Sequence, residues 1–180
     1  MMPIGPLMIE HRLIEKLVGL IPPKLELFRT AGAPDLAFID DAVRFIRDYA
    51  DRTHHGKEED ILFRELAKKP LSAEHRRVMD ELVEEHKLGR KTVAALVAAR
   101  DRYAAGDRGA LADIIEPLEF LAGFYPKHIE KEDRHFFIPV MSYFTAAEKD
   151  ALLAESYEFD RKLVHEFYGR VVERWQKHGT

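Results

Sequence analysis

Apolar residues recur at helical spacing over stretches too long for anything but helices, and the turns between them are short. Leu7, Met8, His11, Leu13, Ile14, Leu17, Val18 and Ile21 form the first such stripe, interrupted at Pro22-Pro23, with Lys24 to Arg29 resuming it. Thr30 to Pro34 reads as a loop. Asp35 can cap a second helix, which turns Phe38, Ile39, Ala42, Val43, Phe45, Ile46 and Tyr49 inward and runs to about Ala67. Ser72 opens a third helix that ends near Gly106, and a fourth runs from Asp107–Ala110 to Phe137 across Pro117 and Pro126. Thr145-Ala146-Ala147-Glu148 is a capping box for a fifth helix that reaches about Gln176. No strand alternation is present. The pattern predicts an all-α fold: an up-and-down four-helix bundle over about residues 5–140, with an additional C-terminal helix over about 145–177, in one domain spanning 1–180.

Composition narrows the function. A net charge of −4 and a pI near 6.1 leave no electrostatic footprint for nucleic acid. No apolar run is long enough to span a membrane, and no secretory signal is visible. The chain has no cysteine, which excludes disulfides, thiolate metal sites and a cysteine nucleophile. A cytoplasmic location is expected. Oligomeric state is left open.

The unusual count is histidine, with nine in 180 residues. Two neighbours, His54 and His55, are each followed four residues later by a glutamate, and positions i and i+4 share a helix face. The same spacing recurs at His11/Glu15 and His128/Glu132, whereas chance would give about one such pair. The third predicted helix carries Glu85-His86 instead. In an antiparallel bundle, residues of one site must share a level. The chain lengths from His11, His55, His86 and His128 to their flanking turns match within about two residues, or about 3 Å at 1.5 Å per residue. Imidazoles and carboxylates without thiolate suit iron, zinc or manganese. Glu59 and Glu132 can bridge two cations while His11, His55, His86 and His128 supply terminal ligands, a dinuclear site in the bundle core. Glu15, Glu58, Glu85 and Asp133 are alternatives or partners for the ligating imidazoles. Neighbouring helical side chains point about 100° apart, so His54 is expected outside the ligand set. Tyr125, close to His128, is a candidate neighbour of the site.

Glu10-His11, His54-His55-Gly56-Lys57-Glu58-Glu59 with Ile61-Leu62-Phe63, Glu85-His86 with Gly89-Arg90, and His128-Ile129-Glu130-Lys131-Glu132-Asp133 resemble the hemerythrin family, in particular its bacterial HHE cation-binding domains. The resemblance spans residues 11 to 133. It implies two iron ions joined by an oxo or hydroxo bridge, for which zinc or manganese can substitute, and reversible binding of O2. It also implies His11, His55, Glu59, His86 and His128 as ligands, because the trailing Leu62-Phe63 lines up with the second His/Glu pair. The last carboxylate is Glu132 in one variant of the family pattern and Asp133 in the other. The oxygen carriers have a further histidine four residues before His86, where this chain has Leu82. His165 on the fifth helix could take that place, although it overshoots the common level.

These features lead to the expectation of a metal-binding protein that takes O2, NO or peroxide for sensing, storage or delivery. An enzyme acting on peroxide or NO is the alternative, and an iron-dependent interaction module is a third.

Overall fold

A computed structural model describes residues 2–178, with side chains through Val164. Six helical rods account for most of the described residues, and no strand occurs among them. Helix α1 (Gly5–Val18) and α2 (Ile21–Ala31) form one broken arm. The break falls at Gly19 and Leu20, so Pro22 and Pro23 start α2, where the absent N–H costs nothing. Helix α3 begins at Leu36–Phe45, with the Asp35 carboxylate accepting from the Phe38 N–H as an N-cap. It continues without a turn through π-helical segments Ile46–His55 and Glu58–Phe63 to Arg64–Leu66. Helix α4 is Ala73–Ala104, capped by Ser72. Helix α5 is Leu111–Glu130, extended through a π-helical stretch, Lys131–Phe136, to Phe137–Val140. Helix α6 is Ala146–His178, opened by the expected capping box: Glu148 accepts from the Thr145 N–H and Thr145 Oγ1 accepts from the Glu148 N–H.

The α1–α2 arm, α3, α4 and α5 form the bundle, and α6 packs against the Glu58–Phe63 part of α3. The core divides into two apolar layers. One holds Ile14, Ile21, Phe28, Ile39, Leu96, Ile114, Leu118 and Leu121. The other holds Ile4, Leu7, Leu62, Leu66, Leu82, Phe136, Phe137 and Val140. Between them lies a layer of polar side chains, all buried: His11, His54, His55, Glu58, His86, His128 and Glu132. Leu82 is fully buried in the second apolar layer, outside the polar one.

π-Helical turns are rare and gather at functional sites. Here they include both stretches that carry a carboxylate of the buried layer, Glu58 and Glu132. In the π-helical segment Ile46–His55, which carries His54 and His55, Thr53 Oγ1 donates to the Asp48 carbonyl, spanning the wider turn. No described helix is long and apolar enough to cross a membrane.

Candidate metal centre

Four bundle rods each contribute an imidazole to the buried layer: His11 from α1, His54 and His55 from α3, His86 from α4 and His128 from α5. Their potential ligand atoms fall into two groups, His55/His86/His128 and His11/His54/Glu58/Glu132, and within each group the atoms lie within 4.8 Å of one another. The two carboxylates tie the groups together. Glu58 reaches His54 Nε2 at 3.2 Å with one oxygen and His86 Nε2 at 3.3 Å with the other. Glu132 reaches His11 Nε2 at 3.2 Å and His128 Nε2 at 3.3 Å.

Every imidazole is oriented the same way. Nδ1–H of His11 donates to Asp133 (2.8 Å), of His54 to Glu10 (2.9 Å), of His55 to Asp51 (3.3 Å), of His86 to Glu59 (2.7 Å) and of His128 to Glu85 (2.7 Å). Each outer carboxylate fixes the tautomer and turns the Nε2 lone pair inward, the usual arrangement around a metal-ligating histidine. Rings close the layer: Phe137 stacks on His11, Phe63 on His86 and Phe124 on His128. His55 and His86 stack with centroids 3.9 Å apart.

The electrostatics follow from two buried carboxylates among five imidazoles. Burial disfavours charge on His11 and His86, but their carboxylate contacts outweigh it and raise both to about 10. His54 is raised despite burial, through Glu58 and Glu10. His55 is pushed well below its ordinary value by burial and by the facing imidazoles of His86, His54 and His128. Glu132 is held well below the usual carboxylate range, because the surrounding histidines overcome its burial. His128, His11 and His86 thus keep the buried Glu132 carboxylate ionised, as a cation would.

Both oxygens of Glu58, both oxygens of Glu132, and Nε2 of His86 and of His128 are buried with no hydrogen-bond partner. Orphaned buried polar atoms cost about 1–3 kcal/mol each, and such atoms ordinarily have a partner. Here all six face one another, which is the donor set a pair of cations would satisfy.

Placement differs from the sequence expectation at the doubled motif. Glu59 lies outside both groups, with its carboxylate bound to His86 Nδ1 and to Arg90, contacts that overcome burial and bring it to about 2. Glu58 takes the interior position that Glu59 was expected to hold, and His54 joins His11 rather than standing outside. The angular spread of about 100° between His54 and His55, which suggests that only one can face a single point, lets them face two different groups. The place four residues before His86 stays apolar, and His55 completes the three-imidazole group instead. Glu132 is interior, while Asp133 is the outer partner of His11. Glu85 is the outer partner of His128. Glu15 pairs with Arg12 on the surface. The His165 side chain lies outside the described residues. Tyr125 is buried and donates to none of the layer. With Asp51, Arg90, His55 and His86 it lines a cavity of about 80 Å³. The partner roles of Glu10 and Asp51 carry no clear sequence signal, although Glu10 directly precedes His11 and Asp51 lies four residues before His55.

A family model described as Hemerythrin HHE cation binding domain matches residues 2–138. No curated protein and no solved structure matches the chain.

Proposed function

Because the chain belongs to the hemerythrin HHE cation-binding domain family, we propose that it is a dinuclear iron protein that binds O2, or NO or peroxide, for sensing, storage or delivery. In this reading His11 and His54 would hold one ion and His55, His86 and His128 the other, with the Glu58 and Glu132 carboxylates available to both. The observation that carries it is the convergence of six orphaned buried donor atoms between two adjoining ligand groups. The nitrogen and oxygen donor set without thiolate suits iron, with zinc and manganese as substitutes. A cysteine-free chain fits a reducing, cytoplasmic setting.

When bound, the ions would supply redox chemistry and Lewis acidity toward a small oxygen- or nitrogen-containing molecule. The chain's own residues hold the imidazoles in one tautomer through the outer carboxylates. The stacked phenylalanines and the two apolar layers exclude bulk water. A second reading, an enzyme acting on peroxide or NO, draws support from the cavity beside His55 and His86. Tyr125 lines it, and burial and the nearby Asp51 raise its hydroxyl above the ordinary range, so it stays a proton donor.

Reconstitution with Fe(II) tests the proposal. Two irons per chain and a charge-transfer absorption in air are expected. Clearly fewer than two irons would contradict it. Turnover of peroxide or NO would select the enzyme.

A further inference from the structure

The family match ends at residue 138, and α6 begins at Ala146. That helix nevertheless packs against the turn of α3 that carries Gly56, Lys57 and Glu58. Gly56 sits there, and a Cβ on it would lie 2.8 Å from Cζ of Phe159. A side chain at this position would force the Phe159 ring to shift.

Beside it, Lys57 is 1% exposed although it is a lysine between two layers of helix. A buried ammonium is tolerable only when paired. It has two partners on two other helices. It is bound to Glu10 Oε1 of α1, and its Nζ lies 2.8 Å from one oxygen and 3.0 Å from the other of Asp160 on α6. Glu10 uses its second oxygen, Oε2, to accept from His54 Nδ1 at 2.9 Å. His54 Nε2 then faces His11 Nε2 at 2.8 Å and Glu58 at 3.2 Å. A continuous chain of charged contacts thus runs from the C-terminal helix into one of the two ligand groups. The other four outer carboxylates, Asp51, Glu59, Glu85 and Asp133, come from the bundle itself and reach the layer without α6.

We infer that Asp160 is a positioning residue for the metal centre: acting through Lys57 and Glu10 it sets the His54 imidazole, so α6 governs how tightly the ion at His11 and His54 is retained. The inference rests on the dinuclear reading above. Loss of Asp160 leaves Lys57 with Glu10 alone. The ammonium then draws on both oxygens of Glu10, and the hold on His54 Nδ1 loosens. Outer partners of ligating histidines are worth about 10–100-fold in affinity, and a partner one contact further out should sit near the low end.

The test is release of iron to a ferrous chelator from the full chain under anaerobic conditions, with stoichiometry measured at the start. Asp160→Asn should release one of its two irons about tenfold faster than wild type and the other at the wild-type rate. Asp160→Glu, which restores the charge, should recover most of the difference. Glu155→Gln is the control for docking alone: Glu155 also tethers α6 to α3, through a two-pronged pair with Arg64 at 3.0 and 2.8 Å, but touches neither Lys57 nor the buried layer. It should leave both rates unchanged. Wild-type release from Asp160→Asn, equal acceleration of both irons, or equal acceleration by Glu155→Gln would each overturn the inference while the dinuclear reading stands. A wild-type chain that binds fewer than two irons would overturn the dinuclear reading and this inference with it.

Discussion

Glu58 and Glu59 are neighbours in sequence, but alanine substitution should weaken metal binding at Glu59 and abolish filling of the pair at Glu58. Glu59→Ala removes a carboxylate that accepts from His86 Nδ1 at 2.7 Å and from Arg90 at 2.6 Å. His86 keeps its inward Nε2 but loses its anchor, so affinity should fall about 10–100-fold, or about 1.4–2.7 kcal/mol at 1.4 kcal/mol per tenfold. Glu58→Ala removes both oxygens that face the two ligand groups, 3.2 Å from His54 and 3.3 Å from His86. It should abolish filling of the pair. Thermal melts give the scale. An ion at about 1,000 times its dissociation constant stabilises a fold by about 4 kcal/mol. For a domain of 180 residues, each kcal/mol moves Tm by about 2–4 °C. The ion-dependent rise should therefore be about 8–16 °C in wild type. It should shrink by roughly 3–10 °C in Glu59→Ala, from the affinity loss above, and vanish in Glu58→Ala. Equilibrium dialysis on the same samples should give two ions per chain in Glu59→Ala at high metal and fewer than two in Glu58→Ala. The reverse order, with Glu58→Ala filled and Glu59→Ala empty, would refute the placement of these side chains and restore the motif alignment suggested by Leu62-Phe63.

Further predictions follow from the same layer. His11 and His86 are raised from their unfolded value to about 10, so their contribution to metal-free stability is complete below about pH 6.5 and is lost as pH rises toward 10; chelated protein should lose Tm across that window, and iron-loaded protein, whose ions replace those protons, should lose less. Iron binding at pH 7 should release protons, measurable with a pH indicator in weak buffer; uptake or no change would count against His11 and His86 as ligands. Leu82→His, which places the histidine where the oxygen carriers have it, should add no ion and destabilise the chain by about 1–3 kcal/mol in denaturant melts, because Leu82 is fully buried among apolar side chains. Tyr125→Phe should leave iron stoichiometry unchanged, since Tyr125 lies beside the cavity and outside both ligand groups.

Much of this was legible in the sequence because helical bundles write their geometry as periodicity. The rods, the capping box at Thr145, the caps at Asp35 and Ser72, and the common level of four histidines all follow from spacing along regular helices. The legible part ended where the helix stopped being regular or where partners came from another rod. Ile61, Leu62 and Phe63 are all buried, so an apolar run after the motif does not mark which His/Glu pair faces inward. His54 and His55 compete for one focus but serve two, which spacing on a single helix does not reveal. The outer carboxylates Glu10 and Asp133 act across rods, and their roles emerge only from packing. Pairing of Lys57 with Asp160 spans more than a hundred positions and has no local signature.

Anomalous scattering at the iron edge from a crystal of the iron-loaded chain tests the central claim most directly. Two iron peaks are expected between the rods, one against His11 and His54 and the other against His55, His86 and His128, with Glu58 and Glu132 reaching both. A single peak, no peak in this layer, or a peak ligated by Glu59 in place of Glu58 would contradict it.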